Sequence, residues 1–160
     1  DQCGSRGLGD VYKRQLPDGD YICALDQADT VQEGSDVTIL TYSRMRHHCI
    51  KAVEQLEADG ISVELIDLIS LKPFDMETIS RSIRKTHKVI VVEECMKTGG
   101  IGAELIALIT EQCFDELDSR PVRLSSQDIP TPYNGSLENL TIIQPHQIVE
   151  AAQQMVRQGV

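Results

Sequence analysis

Short apolar, β-branched runs separated by stretches of helical length constrain this chain more than any other feature. Val37-Thr38-Ile39-Leu40-Thr41 and Lys88-Val89-Ile90-Val91-Val92 are nearly continuous, the pattern of strands buried on both faces. Val63-Glu64-Leu65-Ile66-Asp67-Leu68 reads as another strand, and Val122-Arg123-Leu124 as a final short one. Between and after them, apolar residues recur at helical spacing. Met45, Cys49, Val53 and Leu56 form one such stripe, and Met76, Ile79 and Ile83 a second. Ile101, Leu105, Leu108 and Ile109 form a third, and Ile148, Val149, Ala152 and Val156 a fourth. Strands alternating with helices predict βαβ units and a largely parallel sheet covered on both faces.

The punctuation agrees with this pattern. Glu33-Gly34-Ser35-Asp36 is a turn, Ser43 is placed to cap the first helix, and Gly60 to end it. Pro73 marks a loop, Asp75 can cap the second helix, and Pro145 suits the first turn of the last one. Asp20-Tyr21-Ile22-Cys23-Ala24-Leu25 reads as a short edge strand or extended arm. Residues 125–144 read as one long, polar, proline-containing loop, functional or a docking segment.

At 160 residues the chain is one domain, and 41% hydrophobic with 25% charged residues is a globular composition. A net charge of −10 argues against nucleic-acid binding and suits a basic protein partner, or simply solubility. No apolar run is long enough to cross a bilayer. The five cysteines form no CxxC pair, which argues against zinc. Cys49, Cys95 and Cys113 sit among apolar residues, as small core residues do, and a reducing cytoplasm is the simplest setting. Residues 1–15 have no periodicity and carry a net charge of +1 (three basic, two acidic side chains). They read as a non-native leader ahead of a domain spanning residues 16–160.

Each candidate chemical feature has a competing structural reading. Thr98-Gly99-Gly100-Ile101-Gly102 lies between a strand and a helix, where glycines can admit a phosphate. Its spacing fits neither a dinucleotide nor a Walker loop, and Glu93 and Glu94 upstream would repel a phosphate, so a tight turn with close helix packing is favoured. Glu93 and Glu94 stand where α/β proteins place active sites, but neighbours on a strand point to opposite faces. An interface ion pair, or the capping of a nearby loop, is favoured over acid–base work. His47 and His48 splay by roughly 100° on a helix and do not chelate one ion together. His87 follows a helix and can meet its C-terminal dipole. Asp115-Glu116-Leu117-Asp118 is either a solvated turn or a docking site for a basic partner. Asp128-Ile129-Pro130-Thr131-Pro132-Tyr133 forms a stiffened loop in which Asp128 and Tyr133 are candidate interface residues.

Residues from about Leu16 onward resemble the C-terminal half of the beta subunit of the pyruvate dehydrogenase decarboxylase component, a transketolase-like family. The resemblance rests on Thr38–Arg46, Ser70–Asp75, Glu93–Gly102, Leu124–Tyr133, Gln144-Pro145 and the final helix. It looks closest to the cyanobacterial and plastid-type form. The resemblance implies a three-layer α/β/α fold with a five-stranded, mostly parallel sheet and one antiparallel edge strand. It implies a complete enzyme that decarboxylates pyruvate on thiamine diphosphate with magnesium and acetylates lipoyl groups. Two alpha and two beta subunits would form it. The cofactor would lie outside this segment, so no catalytic, cofactor or metal residue is assigned here. The segment would contribute subunit contacts and dock the peripheral subunit-binding domain of the acetyltransferase. By the match of Leu117–Val122 the docking aspartate falls on Asp118, with Ser119 and Arg120 before the proline where the family usually has one residue. The expected compartment is the bacterial cytoplasm, or the plastid stroma in a plant or alga. The alternatives are a self-standing interaction module, or the same domain of a branched-chain 2-oxo acid or acetoin dehydrogenase or a deoxyxylulose phosphate synthase.

Overall fold

The computed structural model describes residues 24–158. The leader at 1–15 and most of the strand expected at 20–25 lie outside the described residues. Five strands, β1 (Asp29–Gln32), β2 (Val37–Thr41), β3 (Val63–Asp67), β4 (Val89–Met96) and β5 (Val122–Ser126), form one sheet in the order β1-β3-β2-β4-β5. Adjacent strands are parallel except β1, which pairs antiparallel with β3 at the sheet's edge. The helices are α1 (Met45–Ala58), α2 (Met76–Thr86), α3 (Ile101–Cys113), α4 (Gly135–Thr141) and α5 (Pro145–Gln158), with a 3₁₀ turn at Phe114–Glu116.

Strand alternation divides the interior into two apolar layers. Val37, Ile39, Val63, Leu65, Ile90 and Val92 face α1 and α5, and Leu40, Ile66, Val89 and Val91 face α2 and α3. Both β2 and β3 are buried at every position, as a central parallel strand between helix layers must be. The four longer helices turn their apolar stripes to the sheet: Cys49, Val53 and Leu56 on α1, Ile79 and Ile83 on α2, Leu105 and Ile109 on α3, Ile148 and Ala152 on α5. Burial pushes the Cys49 thiol up to about 12, so it stays a neutral core side chain. Asp75 caps α2, accepting from the Thr78 amide at 3.0 Å. Gly60, at φ +81°, turns the chain out of α1.

The antiparallel edge strand among the described residues is Asp29–Gln32, whose half-polar residues pair irregularly, with a bulge between Thr30 and Gln32. Several expectations are corrected. Ser43 does not cap α1 with its side chain. It sits at φ +55°, and its carbonyl accepts from the Arg46 amide. Cys95 is exposed, because β4 runs on past Val92, where its pairing with β2 ends. The long loop is interrupted: β5 reaches Ser126, and Asn134 caps α4 by accepting from the Ser136 amide at 2.9 Å. His87 stands at the C-terminal end of α2, where its amide donates to the Ile83 carbonyl, and its ring Nδ1–H donates to the Glu116 carbonyl at 2.7 Å.

Candidate functional site

One buried polar network sits at the C-terminal edge of the parallel strands, and Glu93 is its centre. It lies on the α3 side of β4, beyond Val89 and Val91, and is fully buried. One carboxylate oxygen accepts from the Gly102 amide at 2.8 Å in the first turn of α3. The other accepts from Arg123 at 2.5 Å and from the Ser125 hydroxyl at 2.9 Å, both on β5. The Tyr42 hydroxyl, at the end of β2, donates to the first oxygen at 3.2 Å. A buried carboxylate is costly unless compensated. Here a guanidinium, a helix N-terminus and two hydroxyls compensate it. Burial raises the Tyr42 phenol well above its ordinary range, with the Cys95 thiol at 3.4 Å and the Glu93 charge adding to the effect. Tyr42 is a hydrogen-bond donor here and not a base.

The glycine turn is built for this contact. A Cβ on Gly102 would stand 2.7 Å from a Glu93 carboxylate oxygen, so only glycine lets α3 come this close. The tight-turn reading of Thr98–Gly102 therefore agrees with the geometry. Glu93 fills the anion position at the start of α3, so a diphosphate does not fit there. Among the described residues no His, Cys, Asp and Glu cluster is arranged to hold a metal ion.

Glu94 points the opposite way, as strand alternation requires. It meets Arg44 at 3.3 Å, and Arg44 also reaches Glu138 of α4 at 3.3 Å and Asn139 at 3.4 Å. The two glutamates therefore do not converge, and Glu93 does not reach the surface, which corrects its expected place at an interface. The exposed carboxylate of Asp128 accepts from the amide and hydroxyl of Thr98, both at 2.8 Å. These bonds, the amide first, hold the Asp128 carboxyl below its ordinary range. They clasp the loop after β5 to the glycine turn. Tyr133 stands fully exposed beyond them. A cleft of about 540 Å³ runs between the turn, the loop and α4, lined by Glu94, Met96, Ile101, Ile129 and Ile142 among others.

Asp118 lies at the other end of the sheet. It is exposed, just after the 3₁₀ turn, and its amide donates to the His87 carbonyl at 3.0 Å. Phe114, on the same turn, is 68% exposed. Sequence reasoning missed Arg44, Arg123, Tyr42 and Thr98 as partners. Arg123 carried a signal: a lone charge in an apolar strand, placed by the pairing of Val91 with Arg123 on the face that Glu93 shares.

Comparison with known proteins agrees with this architecture. The pyruvate dehydrogenase E1 component subunit beta of Porphyra purpurea is 60% identical over 144 residues, which is 90% of this chain and 44% of that protein. The chloroplastic subunit beta-2 of Arabidopsis thaliana is 54% identical, over 89% of this chain and 35% of its own length. The chain thus spans less than half the length of these curated relatives. A solved split-gene transketolase, described as an inactive beta4 tetramer, superposes with a TM-score of 0.73 at 27% identity, over 84% of this chain and 44% of that one. The family description "Transketolase, C-terminal domain" matches residues 26–148. With that match across most of its length and the sheet order it displays, the chain belongs to the transketolase C-terminal domain family.

Proposed function

We propose that this chain is the C-terminal assembly and docking domain of the beta subunit of a thiamine-dependent pyruvate dehydrogenase. The observation that carries the reading is the 60% identity to the Porphyra purpurea beta subunit over 90% of the chain. In the complete enzyme, thiamine diphosphate with magnesium would supply the decarboxylating chemistry. The residues described here do not fit that cofactor, since Glu93 occupies the one strand-to-helix anion position discussed above. The domain's part is to contact other subunits, an alpha subunit and a second beta subunit, and to hold the acetyltransferase. Asp118 is the proposed docking residue for the acetyltransferase's peripheral subunit-binding domain. Its exposure and the neighbouring Asp115 and Glu116 suit a basic partner. A plastid stroma or a bacterial cytoplasm is the proposed setting; the Arabidopsis relative is chloroplastic.

The test is reconstitution. The complete beta subunit, assembled with its alpha subunit, is expected to release carbon dioxide from pyruvate only when thiamine diphosphate and magnesium are supplied, and to acetylate a lipoyl domain. Turnover of a branched-chain 2-oxo acid in preference to pyruvate, or no turnover of either, would overturn the reading.

A further inference from the structure

α2 ends at Thr86, and His87 follows it in the left-handed conformation, at φ +57° and ψ +7°, with its amide on the Ile83 carbonyl at 2.7 Å. Glycine is the usual residue at such a helix end, because a Cβ is strained there. A larger residue held in this conformation points to a use for its side chain. Both halves of His87 reach the 3₁₀ turn. Its ring donates through Nδ1–H to the Glu116 carbonyl at 2.7 Å, and its own carbonyl accepts from the Asp118 amide at 3.0 Å.

The two bonds bracket Leu117, whose side chain packs into the apolar layer beneath α2 and α3. Arg84, on the last turn of α2, meets the Glu116 carboxylate at 3.7 Å. The outer side of the turn is open to solvent: Phe114 is 68% exposed, and Asp115 and Asp118 are exposed. The turn closes on itself through the Leu117 amide and the Phe114 carbonyl at 3.2 Å. An exposed turn of this length samples many shapes unless something outside it holds it, and each shape moves the Asp118 carboxylate.

We propose that His87 is the positioning residue for docking at Asp118: its ring and its carbonyl fix the backbone on both sides of Leu117, so the Asp118 carboxylate is in place when a basic partner arrives. The proposal rests on reading Asp118 as the docking residue. His87 acts through the turn and not by contact with the partner. It removes the ordering cost that a loose turn would add to binding. The geometry also names the substitution that keeps the effect. Asn adopts the left-handed conformation readily, and its side-chain NH2 stands as many bonds from Cα as the Nδ1 of His. His87→Asn therefore keeps the bond to the Glu116 carbonyl. His87→Gly keeps the helix end and loses that bond.

The test uses the complete beta subunit assembled with its alpha subunit, as wild type, His87→Gly, His87→Asn and Asp118→Lys. Two quantities are read: hydrogen exchange in segment 114–120 by mass spectrometry, and affinity for the acetyltransferase's peripheral subunit-binding domain by calorimetry. His87→Gly is expected to speed exchange in 114–120 by about tenfold and to weaken binding by about fivefold or more, with the melting temperature held within about 5 °C. His87→Asn is expected to stay within about twofold of the wild type in both. Wild-type exchange and affinity in His87→Gly, or a loss that His87→Asn shares in full, would overturn the proposal. Asp118→Lys separates this result from the docking reading. If it weakens binding while His87→Gly does not, the positioning role falls and the docking reading stands. If Asp118→Lys leaves the affinity unchanged, the docking reading falls and the positioning role falls with it.

Discussion

Glu93 shows how one residue ties local pattern to tertiary order. Its carboxylate joins β4 to β5 through Arg123 and to α3 through Gly102, so its removal acts on three elements at once. Glu93→Gln keeps the shape and leaves the Arg123 charge without a partner. We expect a loss of about 3 kcal/mol in urea unfolding; a loss below about 1 kcal/mol would show that solvent replaces the pair. Gly102→Ala provides a sharper test of sign. In an open helix this change stabilises by up to about 1 kcal/mol. Here the added methyl meets the Glu93 carboxylate, so a destabilisation of about 1–3 kcal/mol is expected. His48 carries the pH dependence. Burial lowers its proton affinity; the Ile143 carbonyl that accepts its Nδ1–H at 2.9 Å opposes this, and Arg44 and Lys51 reinforce it. A depressed folded pKa means that the unfolded chain takes up the proton first. This stabilisation is whole above the unfolded value of about 6.5 and is lost as pH falls below it. Thermal unfolding of the wild type should show the decline, and His48→Asn should flatten it.

At the scale of elements, a cap and a clasp decide how the loops at the sheet's edge are held. Asp75→Ala removes the α2 cap together with the anchor of Ala28, and a loss of about 1–2 kcal/mol in urea unfolding is expected. Asp75→Asn keeps one acceptor oxygen and turns an NH2 toward the other amide, so it should recover the cap or the Ala28 anchor but not both. The strands and main helices were legible in the sequence because each followed a single period: β2 is apolar or β-branched throughout, and α1 repeats Met45, Cys49, Val53 and Leu56. Elements decided by pairing or by a short capped turn were not. β1 takes its place from β3 and not from its own residues, and α4 hides its cap, Asn134, behind two prolines. The candidate site was half legible. Alternation put Glu93 and Glu94 on opposite faces, but it did not reveal that β5 lies beside β4 with Arg123 facing Glu93. That depends on strand order, a long-range property that local periodicity does not carry.

Across the whole molecule, the two ends of the sheet have separate characters. The C-terminal edge is apolar, cleft and clasped; the other presents an exposed acidic turn whose amide is fixed by His87. Such a division suits a domain that assembles through one end and docks a mobile partner through the other. Asp118→Lys reverses the charge at an exposed position, so the fold should persist with an unchanged circular dichroism spectrum while affinity for a basic docking domain falls by about tenfold or more. The central claim is that docking role, and the most direct measurement is titration calorimetry of this chain with the peripheral subunit-binding domain of the acetyltransferase. The account predicts saturable binding that weakens with added salt and with Asp118→Lys. A folded chain that binds with the same affinity before and after that substitution, or does not bind at all, would contradict it.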